Sequence, residues 1–185
     1  MADAPDVIGL DLSLTSTGIA TADRTYTVGC ALPKAATQGE RCERLAAIRD
    51  EVLKVVGPPG WWLHDDPTPL VVMEGFSFGS PQGATDAGGL GWLIRVTLHE
   101  AGVPFAVVPP NTLKLYATGK GNAGKDDMKL AALSRAGLEF TGKGSSDECD
   151  AWWLRALGLD HLGAPVVEMP AANRAALEKV EWPDA

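Results

Sequence analysis

The order of apolar and polar runs along the chain predicts an α/β domain, a mixed five-stranded sheet with helices on its faces. Three observations carry that expectation. The opening "VIGLDLSLTSTGIATAD", Val7 to Asp23, reads as an apolar strand entering a hydroxyl-rich turn and leaving as a second apolar strand. Two later apolar runs, "LVVMEGFSF" and "VPFAVVPP", are separated from it and from each other by stretches of helical period. The remainder is helical, without internal repeat or low-complexity block.

In chain order, "GIATAD" and "TYTVGCAL" flank a turn at Asp23 and Arg24 and extend the opening strand into an antiparallel meander. From Gly39 to Val56 the apolar residues Leu45, Ile48, Val52, Val55 and Val56 recur at helical spacing, and "GPPG" ends the helix. "WWLHDDPTP" is a loop by its Pro and Asp content, and "LVVMEGFSF" is the fourth strand, with Glu74 at its end. "GATDAGGLGWLIRVTLHEAG" is a helix whose Gly88, Gly89 and Gly91 weaken it but allow close packing on a neighbour. After the fifth strand come a short helix, a loop punctuated by Gly119, Gly121 and Gly124, and a helix from about Lys125. "SSDECDAWWLRALGLDHLG" starts with Ser145 or Ser146 as N-cap and continues as an apolar helix, with Trp152 and Trp153 read as core or interface. Residues 161–185 shift to Ala, Pro and Glu and read as an appended tail behind a catalytic domain of residues 1–160.

With 185 residues the chain has the size of one domain able to bury its own core. Its 45% hydrophobic and 22% charged content is that of a soluble globular protein, and no apolar run approaches the roughly 20 residues of a membrane span. "MADAPD" has neither the basic start nor the apolar core of a signal peptide, which points to the cytoplasm. Cys30, Cys42 and Cys149 share no metal or redox spacing and read as reduced thiols. A net charge of −8 argues against non-specific coating of nucleic acid. The charge is uneven, however. Between Asn111 and Lys143 six cations face three anions, a local +3, so the rest of the chain carries −11.

Asp11 sits in an apolar strand, where a carboxylate is costly to desolvate unless something positive meets it. It could bond the hydroxyls of Ser13, Thr15 or Ser16 instead. Asp147 and Asp150, three residues apart at a helix start, share one face and repel unless a cation lies between them; alone they could be first-turn anions on a helix dipole. If the first and fourth strands are neighbours, Asp11, Glu74 and this pair form an oxygen-rich cluster. Hard divalent cations suit such clusters, and two ions about 4 Å apart are the usual apparatus for phosphodiester cleavage.

Four stretches, "IGLDLSLTSTGIA", "VVMEGFSFG", "VPPNTLKLYATGKGNAGKDDM" and "SSDECDAWWLRAL", resemble in order the motifs of RuvC-type Holliday junction resolvases, across about residues 6 to 160. The version here looks most like the resolvase-like proteins of actinobacteria and their phages. The resemblance implies a ribonuclease H-like fold and an endonuclease that uses two Mg²⁺ per active site, with Mn²⁺ able to substitute. It also implies a homodimer that sets two active sites on branched DNA, with no membrane and no nucleotide cofactor. Its acidic set falls on Asp11, Glu74, Asp147 and Asp150. Its lysines fall on Lys114 and Lys125, which meet DNA phosphate near the scissile bond, Lys125 with a catalytic role; lysine suits this as a mobile point charge. Lys120, in the glycine loop, adds to the basic footprint or is an ordinary surface lysine. The family's aromatic three residues after the strand-end glutamate is replaced by Ser77, so Phe76 or Phe78 would have to stack on a base, unless they belong to the core. Preference among four-way junctions, forks and flaps therefore stays open.

"GLDLSLTSTG" also resembles the first phosphate-binding hairpin of the actin and sugar-kinase superfamily, but that machinery needs two copies of the fold, and this chain has no internal repeat. A junction binder without catalysis would gain nothing from clustered anions beside DNA phosphates. The site expected from sequence is thus an acidic two-ion nuclease centre flanked by Lys114 and Lys125.

Overall fold

The computed structural model describes residues 6–57, 68–75 and 84–184. Phe76, Phe78, Trp61, Trp62 and His64 lie outside the described residues. The strands are β1 (Val7–Asp11), β2 (Thr17–Ala20), β3 (Thr25–Val28), β4 (Leu70–Glu74) and β5 (Phe105–Val108), in the sheet order β3-β2-β1-β4-β5. β1, β2 and β3 form the expected antiparallel meander, and β1 pairs with β4, and β4 with β5, in parallel. Leu10 stands opposite Met73, so the next residues, Asp11 and Glu74, close their strands at one edge of the sheet. Asp11 is therefore the last residue of β1, buried there, and not inside the strand as the apolar run suggests.

The two-residue period of the strands divides the core in two. Ile8, Leu10, Ile19, Val71 and Met73 pack with Ile48, Val52 and Val56 of α1 (Gln38–Val56) and with Leu90, Ile94 and Leu98 of α2 (Ala84–Glu100). Val7, Val72, Ala106 and Val108 face the other layer, which is built on α3 (Pro110–Thr118), α4 (Lys125–Ala136) and α5 (Ser145–His161). By the same alternation Asp11 and Glu74 belong to the α5 face.

Two strand glycines bring α5 down onto the sheet. A Cβ on Gly9 would lie 2.0 Å from the Ala151 carbonyl oxygen, and one on Gly18 would lie 2.1 Å from that of Asp147. Only hydrogen in those places lets the helix backbone meet the sheet. Trp153 is fully buried in this layer; its Nε1 donates to the Met128 carbonyl at 3.2 Å, and Trp152 packs edge-on against it, which makes both tryptophans core residues.

α1 begins with a capping box: Glu40 N–H donates to Thr37 Oγ1 at 3.2 Å, and Thr37 N–H to Glu40 Oε2 at 2.7 Å. α5 differs from expectation. Its N-cap is Gly144, at φ 84, and Ser145 is already helical, because the chain turns into the helix through a left-handed position that a serine would enter under strain. α2 differs too. A Cβ on Gly88 or Gly89 would meet no atom within 4 Å, so these glycines serve no close packing within the described chain.

The segment after His161 is part of the fold, not an appendage. Val167, Met169, Asn173, Ala176 and Val180 are buried, and the Trp182 ring stacks on His161 at 3.8 Å. It contains α6 (Ala171–Arg174) and a 3₁₀ turn at Leu177–Lys179. Its apolar residues are scattered among Pro and Ala at no single period, which hides a packed segment from a reading of periodicity.

Candidate active site

Three elements deliver the acidic residues to one place: β1 ends at Asp11, β4 at Glu74, and the first turns of α5 carry Asp147 and Asp150. The β1–β2 turn keeps its hydroxyls to itself. Thr17 Oγ1 donates to the Ser13 carbonyl at 2.5 Å and accepts from Ser13 N–H at 3.1 Å. Among the described residues no hydrogen bond or ion pair reaches the carboxylates of Asp11, Glu74, Asp147 or Asp150, so the hydroxyl-bonded alternative for Asp11 is not formed.

The electrostatics show that these groups sense one another. Asp11, 8% exposed, has its pKa raised well above the ordinary carboxylate range by burial, then by Glu74, Asp150 and Asp147. Glu74 is raised to about 7, by burial and then by Asp150. Asp150 is raised to about 6, chiefly by burial. Lys125 opposes all three shifts, and Lys114 opposes those of Glu74 and Asp150.

The lysines stand on either side of a tight connection. Lys114 is in α3, which ends at Gly119 in the left-handed conformation, φ 80. Lys125 is the first residue of α4, where Gly124 N–H donates to Asp127 Oδ2 at 2.9 Å. Asp127 thus serves as a helix cap, which leaves the charge of Lys125 to the acidic cluster. Lys120 is exposed beside Asp127 and Arg135, and it is not among the principal influences on the three carboxylates. One cation was missed in the sequence. Lys129 Nζ donates to Ser145 Oγ at 2.7 Å at the start of α5, and its charge lowers the pKa of Asp150. Its position four residues after Lys125, on the same helix face, was the available signal.

As a donor set, four carboxylates without hydrogen-bond partners suit a hard divalent cation, which prefers oxygen ligands. Among the described residues no three His, Cys, Asp or Glu side chains are already assembled to hold one. Like charges in a partly buried site repel, so these carboxylates would have to turn inward around an ion.

A sheet in the order β3-β2-β1-β4-β5, with acids at the ends of its two central strands and at the start of the helix across them, defines the ribonuclease H-like class of fold. Within that class the chain belongs to the RuvC family. It is 30% identical over 164 residues to the crossover junction endodeoxyribonuclease RuvC of Anaeromyxobacter sp. (strain Fw109-5), an alignment that takes in 86% of this chain and 74% of that protein. To the RuvC of Anaeromyxobacter dehalogenans (strain 2CP-1 / ATCC BAA-258) it is 35% identical over 98 residues, 53% of this chain and 50% of that one, so the match spans about half the length of this relative. No family model matches the sequence. Among solved structures, Thermus thermophilus RuvC superposes with a TM-score of 0.57 at 22% identity, covering 89% of this chain and 99% of that one. T. thermophilus RuvC in complex with Holliday junction substrate gives a TM-score of 0.58, again at 22% identity, covering 90% and 99%.

Proposed function

We propose that this chain is a metal-dependent, structure-specific endonuclease that cleaves branched DNA in the manner of a Holliday junction resolvase, in recombination, repair or phage DNA processing. The observation that carries the reading is the convergence of Asp11, Glu74, Asp147 and Asp150 beside Lys114 and Lys125, at one edge of a RuvC-family sheet. Mg²⁺, or Mn²⁺ in its place, fits the oxygen donors; two ions bound there would supply an activated water and stabilise the leaving 3′ oxygen. Asp11, Glu74 and Asp150 would hold the ions, with Asp147 completing the set. Lys125 meets the charge that builds on the phosphoryl oxygens, and Lys114 and Lys120 hold the DNA backbone. Phe76 or Phe78 remains the candidate for stacking on a junction base. The RuvC-like motifs are assigned to residues 1–160, onto which residues 161–184 pack, and the place of action to the cytoplasm of a bacterium or an infected host cell.

The partner surface proposed for a second copy is the outer face of α2. Trp92 is 65% exposed and Val96 47%, and with Phe105 and Val107 they line an open groove of ≈ 510 Å³ that is mostly apolar. A two-fold dimer built on one helix face would place two sites on one junction.

The deciding experiment is a cleavage assay over four-way junctions, forks and flaps in Mg²⁺ and in Mn²⁺, with Asp11→Asn alongside. The variant should lose cutting yet keep or tighten junction binding, because a negative charge beside phosphate disappears together with a metal ligand. If Asp11→Asn cuts normally, the metal-site reading fails. Preferred cutting of forks or flaps would retain the chemistry and replace the substrate.

A further inference from the structure

The C-terminal segment grips the turn on which both lysines depend. α3 stops at Thr118, which leaves the carbonyls of its last turn without intrahelical donors. Asn173 supplies one of them: its Nδ2 donates to the Tyr116 carbonyl at 2.7 Å. Asn173 is itself buried, and its Oδ1 is 3.4 Å from where a Cβ on Gly119 would be, so it sits against the first residue of the glycine loop. The next residue, Arg174, pairs with Asp160 of α5, Nε to Oδ1 at 3.0 Å and Nη2 to Oδ1 at 2.9 Å. Asp160 Oδ2 in turn accepts from the Tyr116 hydroxyl at 3.1 Å. Both polar oxygens of Tyr116 are therefore held by two adjacent residues of α6, one directly and one through Asp160.

An ion pair whose carboxylate is buried is a costly means of fastening a segment to a core, since apolar side chains of similar volume generally serve as well. What it adds is direction. Tyr116 is two residues after Lys114, and the turn it anchors delivers Lys125 at the start of α4. We propose that Asn173 and the Asp160–Arg174 pair are positioning residues, a strap that fixes the α3–α4 turn and thereby the placement of Lys114 and Lys125 against the scissile phosphate. The proposal rests on the lysine roles proposed above.

The test uses the full chain and three variants: Asn173→Asp, which keeps the shape but loses the donor, Arg174→Ala, and Arg174→Lys. Arg174 is half exposed, so its variants are expected to fold. Amide hydrogen exchange should quicken from Ala117 to Lys125 in Asn173→Asp and Arg174→Ala, while β1 and β4 stay protected. Cleavage rate at saturating four-way junction should fall about tenfold, as for a misplaced catalytic group, with the Mg²⁺ midpoint unchanged. Arg174→Lys should recover most of the rate. Wild-type cleavage by both loss variants would overturn the strap, as would faster exchange spread through the whole sheet, which marks a merely structural role. Should the parent chain cut no branched DNA at all, the nuclease reading falls separately. The strap is then overturned if the Ala117 to Lys125 amides keep their protection in the variants.

Discussion

At the scale of single residues, two kinds of charge meet at one end of the central strands, and two of the acids titrate in ways that can be measured. Glu74 is raised from 4.5 to about 7 and Asp150 from 3.8 to about 6. Both are acids with folded values above their unfolded ones, so the folded chain retains protons that the unfolded chain has already released. Their contribution is fully present below the unfolded values and is lost as pH rises through the folded values. In chelator, the melting temperature should therefore decline from about pH 4 to about pH 7, and Mg²⁺ should reverse the decline at the upper end, because ions replace the missing protons. A melting temperature flat across that window would contradict the shared acidic site. For the lysines, binding and chemistry separate. Lys120→Ala should lower the slope of log affinity against log salt by about 0.9 and leave the rate at saturating DNA nearly intact. Lys125→Ala should lower that rate by about a hundredfold or more, with Lys125→Arg rescuing only in part. A normal rate for Lys125→Ala at saturating DNA would reduce the residue to part of the basic footprint.

At the scale of elements, the site exists because α5 lies directly on β1 and β2. The Asp147 carbonyl approaches Gly18 so closely that a methyl group there would overlap it. Gly18→Ala should accordingly lower unfolding free energy by about 1–3 kcal/mol in a urea titration, the usual cost of overpacking. Cleavage should suffer more than stability, since the displaced backbone carries Asp147. A variant with parental urea midpoint and parental rate would show that the contact does not set the site. The strands and the helices as far as α5 were legible from period and turn residues, down to the helix starting at Lys125, whereas α6 was not. The start of α5 was not, because Ser145 reads as a cap, whereas its hydroxyl accepts from Lys129 and the cap position goes to Gly144.

At the scale of the molecule, α2 presents Trp92 and Val96 outward while Leu90, Ile94 and Leu98 are fully buried against the sheet. Trp92→Glu should leave the fold intact and convert a homodimer, sedimenting as such at micromolar concentration, into monomers. Paired symmetric cuts should then give way to single nicks. A parent chain that sediments strictly as a monomer and still makes paired cuts would exclude the dimer proposed here. The described helices include none long and apolar enough to cross a membrane.

The sequence by itself determined the class of fold, the order of its elements as far as α5, and which acids and lysines are candidates for the site, because local period, turn chemistry and residue type are written along the chain. Asp11, Glu74, Asp147 and Asp150 could be named as candidates without coordinates, Glu74 at a strand end, the two aspartates at a helix start, and Asp11 inside an apolar run whose end the sequence did not mark. Only the tertiary structure decided that they meet. That depends on the parallel pairing of β1 with β4, which ends both strands at one edge, and on Gly9 and Gly18, which admit the α5 backbone. The partnership of Lys129 with Ser145 and the hold of Asn173 on Tyr116 were likewise invisible, since they join residues 16 and 57 positions apart. Contacts of that range are single polar pairings set by tertiary packing, and such pairings leave no period in a sequence.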